Sequence, residues 1–99
     1  MALTYSVLDD KSVKIQISGR FDFNLHKDFR KAYEEFPPAS KFVVDLAQAE
    51  YIDSSALGML LLLRDHAGGD KASIEITHCS QDIYKVLKIA NFHQLFNIA

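Results

Sequence analysis

Hydrophobic and polar positions follow two periods along this chain, and the switches between them divide it into elements. Thr4 to Leu8 and Val13 to Ile17 read as strands. In the second, Val13, Ile15 and Ile17 face one way while Ser12, Lys14, Gln16 and Ser18 face the other. Asp9-Asp10-Lys11 between them is turn material, which predicts an N-terminal hairpin, and Gly19 reads as the end of its second strand. The period then lengthens. Leu25, Phe29, Ala32, Tyr33 and Phe36 form one stripe of an amphipathic helix, with Asn24 as its expected N-cap and Pro37-Pro38 as its stop.

Lys41 to Leu46, KFVVDL, is a short apolar run with β-branched residues, the pattern of a strand buried on both faces beneath helices. A second helix follows Ser54 and ends at Gly68-Gly69, a C-cap and turn. Ala72 to Thr77 alternates again, with Ile74 and Ile76 against Ser73, Glu75 and Thr77. Ile83, Val86, Leu87 and Ala90 then mark a third helix, capped by Ser80. The tail NFHQLFNI is apolar enough to pack down and end in a short edge strand. Strands alternating with helices predict one α/β domain over residues 1–99. Its mixed sheet has an antiparallel first hairpin and largely parallel remaining strands, with helices packed on it.

The middle helix is the anomaly. At about 100° per residue, Ala56, Leu60 and Leu63 centre its core-facing stripe, flanked by Leu57 and Met59, yet Leu61 and Leu62 fall outside that stripe on opposite sides. Only Gly58 and Asp65 mark a polar wedge. Neighbouring helices covering the surplus is the reading that suits Leu61. An exposed apolar patch at Met59 and Leu62, marking a partner surface, is the other reading. Two hydroxyls, Ser54 and Ser55, precede this helix. Asp53 or Ser54 suffices to cap it, which leaves the second hydroxyl unexplained. Ser54 projects towards the polar wedge and water, Ser55 towards Leu62. A helix N-terminus also tolerates a phosphate, because free amides and the helix dipole favour negative charge there.

Composition narrows the classes. Apolar residues make up 48% and charged residues 24% of the 99, a globular balance. The formal charge of −2 comes without a basic cluster, so no nucleic-acid partner is expected. The lone Cys79 has no partner for an internal disulfide, and the first residues lack a basic segment followed by an apolar run. The longest apolar run, Met59 to Leu63, is far too short to span a bilayer. A cytoplasmic protein without membrane insertion is expected. His26, His66, His78 and His93 are scattered, and neighbouring His78 and Cys79 point to opposite faces of a strand end, so no metal site or other cofactor is expected. Ser54 and Ser55 lack the flanking glycines of a nucleophile elbow, which argues against a hydrolase and for a non-enzymatic protein. Asp45 at the end of a buried strand invites comparison with a phospho-aspartate receiver. The opening hairpin fits that fold poorly, and Asp45 is expected to cap or brace the loop after it.

VVDL, a five-residue spacer and IDSSALG closely resemble the signature of the STAS domain in anti-anti-sigma factors (anti-sigma factor antagonists). Gly19 to Asp22 resembles that family's Gly-x-x-Asp loop, and KVLKIANFHQLFNI its last helix and following strand. Ala56 departs from the pattern, standing where many members have Gly, and many members continue into a further helix past the position of Ala99. The resemblance implies a bacterial partner-switching regulator. A GHKL-type serine kinase, which is also the anti-sigma factor partner, phosphorylates Ser54, with Ser55 the runner-up, and phosphorylation releases the domain. A PP2C-type phosphatase, in some relatives attached to a response regulator, resets it. It implies a partner surface of Asp22, Phe23, Asp53, Ser54, Ser55, Met59 and Leu62. The competing reading is a STAS adaptor with no switch, such as the small subunit of a lipid-transport complex, docking through the same helix and loop.

Overall fold

A computed structural model describes residues 2–38 and 40–99. Its elements are β1 (Leu3–Val7), β2 (Val13–Phe21), α1 (His26–Glu34), β3 (Phe42–Ile52), α2 (Ser54–His66), β4 (Ile74–Thr77), α3 (Gln81–Ile89) and β5 (Asn97–Ile98). Short 3-10 turns at Phe23–Leu25, Gly69–Lys71 and Phe92–Gln94 join them. The five strands lie side by side in chain order; β1 is antiparallel to β2, and the other neighbours are parallel. The α/β fold with an N-terminal hairpin is therefore as the sequence indicates, down to the two-residue edge strand at the end.

The parallel strands β2 to β5 advance one way across the sheet. Right-handed crossovers then place α1, α2 and α3 on a single face. The burial pattern agrees. Val13, Ile15, Ile17 and Phe21 of β2, Phe42 and Val44 of β3, and Ile74 and Ile76 of β4 join one core with Phe29, Leu60, Leu63 and Leu87 of the helices. The opposite face carries Lys14, Gln16, Ser18, Glu75 and Thr77, none of them fully buried. The expectation that β3 is buried on both faces is thus corrected. Phe42, Val44 and Leu46 fill the helix-covered side, while the side away from the helices carries half-buried Val43, buried Asp45 and exposed Ala47.

Several boundaries also move: β1 is Leu3–Val7 instead of Thr4 to Leu8, and β4 starts at Ile74 instead of Ala72. β2 does not close at Gly19 but runs to Phe21, and β3 runs past Leu46 to Ile52. The β2–β3 ladder tolerates this because β3 carries one extra residue opposite Gln16–Ser18 and another opposite Gly19–Arg20. Gly19 sits at φ +73°, a left-handed conformation that a residue with Cβ enters only with strain. Asp45 consequently lies inside the strand and not at its end. Its Oδ1 accepts the Ala47 N–H (2.9 Å), an amide at the first of these bulges. Finally, Asn24 does not cap α1. Asp22 caps the 3-10 turn ahead of it, accepting the Asn24 N–H at 3.0 Å.

Ser80 caps α3 as expected, accepting from the Ile83 amide at 3.2 Å. Gly68 (φ +113°) and Gly69 (φ +62°) turn the chain after α2. There the Arg64 guanidinium spans the Leu95 carbonyl (3.2 Å) and Asp70 (3.0 Å), tying the C-terminal end of α2 to the tail.

Candidate functional site

The edge of the sheet where β2 and β3 end together builds the site. Phe21 pairs with Ile52, both inward and buried, so their predecessors Arg20 and Tyr51 pair outward. The Arg20 guanidinium lies 4.3 Å from the centre of the Tyr51 ring. The Asp53 amide reaches back to the Phe21 carbonyl at 3.4 Å, and this bond sets the point at which β3 becomes α2.

Asp53 is the N-cap of α2. From an extended backbone its Oδ1 accepts the Ala56 N–H at 3.0 Å and the Ser55 hydroxyl at 2.6 Å. The Ser55 hydrogen bond is the largest influence holding the Asp53 carboxyl below the usual carboxylate range. Burial opposes it, while the Ala56 and Ser55 amides and the charge of Arg20 add to it. The two hydroxyls thus divide the work. Ser55 turns inward and braces the cap. Ser54 is exposed, and among the described residues nothing forms a hydrogen bond with its hydroxyl.

The neighbouring loop completes the surface. Asp22 holds its own 3-10 turn through Oδ1, and its Oδ2 stands 3.4 Å from Arg20 Nε. That turn presents Phe23 to solvent at 67% exposure, stacked on the His26 ring at 5.1 Å between centroids. Asp22, Phe23, Asp53, Ser54 and Ser55 therefore belong to the two segments leaving the paired ends of β2 and β3.

Along α2 the sequence reading divides. Met59 is a correction: it is 3% exposed and packs in the core beside Leu60 and Leu63, so it cannot touch a partner in the folded domain. Its angular distance from the stripe centre is small enough for it to be buried with that stripe. Leu62 is 50% exposed, at the rim of a groove formed with Arg30, Tyr33, Glu34 and His66 between α1 and α2. Leu61, for which helix neighbours were expected to provide cover, is instead 41% exposed on the other flank. The surplus hydrophobicity of α2 is thus real surface on both flanks. Sequence reasoning passed over Arg20 and Tyr51. Their signal was the alternation itself, which turns both outward when Phe21 and Ile52 turn in.

Three of the four histidines have other employment. His66 Nε2 meets the Phe36 carbonyl at 2.8 Å, His26 stacks on Phe23, and His78 Nδ1 stands 3.3 Å from Asp45. Among the described residues no cluster of three or more His, Cys, Asp or Glu is placed to hold a metal ion, and no helix is long and apolar enough to cross a membrane.

A mixed sheet with helices on one face, and a capped helix start meeting a Gly-x-x-Asp loop at the strand ends, define a STAS domain. The family model described as MlaB, STAS domain, matches residues 6–97, and the chain belongs to that family. It is similar to a STAS-domain containing protein of Pseudomonas aeruginosa (strain UCBPP-PA14), 56% identical over 92 residues that cover 92% of this chain and 91% of the relative. Solved structures share the fold at lower identity. An anti-sigma factor antagonist from Mycobacterium paratuberculosis superposes with TM-score 0.77 at 19% identity, covering 97% of this chain and 84% of that one. The anti-sigma factor antagonist SpoIIAA in its unphosphorylated form gives 0.72 at 18% identity, covering 89% and 83%. The phosphorylated form of SpoIIAA, from Bacillus, gives 0.70 at 16% identity, covering 99% and 91%.

Proposed function

We propose that this domain is a cytoplasmic partner-switching regulator of the anti-sigma factor antagonist type, a binding module and not a catalyst, with Ser54 as its phosphorylation site. The observation that carries the reading is the contrast between the two serines: Ser55 is committed to the cap and Ser54 is left exposed. A kinase can reach the Ser54 hydroxyl without unwinding α2, and the amides at the helix start favour the phosphate once it is attached. Support also comes from the shared fold with an antagonist whose structure has been solved both with and without phosphate.

The switch works through charge. A phosphoserine adds about −1.5 to −2 charges at neutral pH. They enter a surface that already holds Asp22 and Asp53, beside the apolar contacts Phe23 and Leu62. An anti-sigma factor or serine kinase that docks on the unmodified surface must then accommodate that charge in its interface, and it is released. A PP2C-type phosphatase restores docking by removing it. In such a circuit the unphosphorylated domain occupies its partner and frees whatever that partner restrains.

The second reading is a STAS adaptor that docks permanently in a larger complex, through the same surface and without a phosphate. Intact and tandem mass spectrometry of the protein from its native cells separates the two. Phosphate on Ser54 under some growth condition supports the switch. A chain that stays unmodified across conditions, and also when incubated with ATP and the kinases of its own cell, leaves the permanent adaptor.

A further inference from the structure

Arg20 is placed for a role that its present contacts do not account for. Its side chain is exposed, and its pairing with Asp22 is long at 3.4 Å, an arrangement that contributes little to stability. What fixes it is Tyr51. The guanidinium lies over that ring at 4.3 Å because residues 20 and 51 are direct partners in the parallel ladder. Two residues after Tyr51 comes Asp53, held to Phe21 through its amide, and Ser54 follows. The cation therefore stands at the strand end from which the Ser54 hydroxyl emerges. Asp22 Oδ2 lies 3.4 Å from its Nε, and the charge of Arg20 helps to hold the Asp53 carboxyl, one residue before Ser54, below the usual carboxylate range.

A phosphate on Ser54 changes which anion Arg20 prefers. It carries more charge than the Asp22 carboxylate and offers three acceptor oxygens, geometry that suits the forked donors of a guanidinium. We propose that Arg20 is the residue of this domain that pairs with phosphorylated Ser54, leaving Asp22 for the phosphate while keeping its seat on Tyr51. The proposal rests on the phosphoserine reading and deepens it. Arg20 makes the modified state a defined structure, with the phosphate held on the domain itself, and it withdraws from partners the cation that the unmodified surface displays.

The test installs phosphoserine at position 54 by genetic code expansion, so that no kinase is needed, and follows the second ionisation of the phosphate by ³¹P NMR. Loss of an adjacent cation raises the midpoint of that titration, so Arg20→Gln should move it upward by about 0.5 pH or more. Arg30→Gln, which removes an equal charge from α1, where Arg30 pairs with Glu34 in the groove beside Leu62, should leave it in place. Equal midpoints in the parent and Arg20→Gln proteins overturn the proposal. So does an equal rise in Arg30→Gln, which would reduce the effect to net charge. Circular dichroism checks that both variants are folded. The outcome is independent of cellular modification: an unphosphorylated Ser54 in cells would remove the switch and leave the titration result standing, while a flat titration would remove Arg20 and leave the switch.

Discussion

The hydroxyl of Ser55 donates to Oδ1 of Asp53 at 2.6 Å, and the same oxygen accepts the Ala56 amide at 3.0 Å, so one serine of the pair is built into the cap of α2. Stability and switching are thereby assigned to different hydroxyls. Ser55→Ala should lower stability by about 0.5–1.5 kcal/mol, the net contribution of one hydrogen bond. Asp53→Ala should lose about 1 kcal/mol with the cap. Ser54→Ala should stay within about 0.5 kcal/mol of the parent protein, as for surface substitutions generally. Urea unfolding of the three variants checks the order, and a Ser54→Ala loss as large as that of Ser55→Ala would contradict it.

Binding should show the reverse order. Ser54→Asp places a carboxylate at the first position of α2, where the dipole favours it, so the fold should persist. It adds to the surface some of the charge that a phosphate would bring. Affinity for the partner co-purified from native cells should fall at least ~10-fold, equivalent to about 1.4 kcal/mol. Ser54→Ala should bind within a factor of two of the parent. Calorimetry that finds the two variants equal would remove the phosphoswitch.

On the flanks of α2 the contrast is between Leu62 and Met59. Leu62→Glu exchanges an exposed side chain for a charged one, and the domain should remain folded with its thermal midpoint nearly unchanged. Partner affinity should nevertheless drop if the α1–α2 groove belongs to the docking surface. Met59→Ala opens a cavity beneath the helix and should reduce stability by about 2–5 kcal/mol. Circular dichroism melts separate the pair. Unfolding of Leu62→Glu would place that residue in the core instead.

These relationships were legible in the sequence to different depths. Alternation in β2 and β4, the stripe of α1 and the Ser80 cap follow from local periodicity, and the structure reproduces them; of the α3 stripe it buries Ile83 and Leu87 but leaves Val86 exposed. Asp53-Ser54-Ser55 announced a helix start, since capping is decided within four residues. What escaped depended on cross-strand register. The true ends of β2 and β3, the outward pair Arg20 and Tyr51, and the placement of Asp45 inside a strand all follow from two extra residues in β3 that no single-segment pattern displays. Met59 was misplaced for a related reason. The width of the covered stripe on a helix depends on what packs against it, and here the core takes in Met59 while leaving both Leu61 and Leu62 exposed.

Asp45 yields a prediction remote from the docking surface. Its carboxylate, 6% exposed on the open face of the sheet, accepts the Ala47 amide at 2.9 Å and the Gln16 side-chain amide at 3.4 Å, with Lys14 Nζ at 3.5 Å and His78 Nδ1 at 3.3 Å. Burial pushes its pKa up, but the Ala47 amide, Gln16 and Lys14 together outweigh burial and hold it below the ordinary value of a carboxyl. A folded-state pKa below the unfolded one means that the native state favours the charged form. The stabilisation is then fully present above the unfolded pKa and is lost as pH falls through the lowered folded value. Asp45→Asn keeps the shape and some acceptor capacity but removes the charge, so it should be less stable than the parent at pH 7 by roughly 1.5–3 kcal/mol, the range for hydrogen bonds to a charged group. The gap between the two proteins should narrow as the medium is acidified below about pH 4, where the unfolded carboxyl takes up its proton. Urea midpoints from pH 7 down to pH 3 for both proteins measure this, and a gap that stays constant across that range would mean that the charge on Asp45 does not hold the bulge of β3.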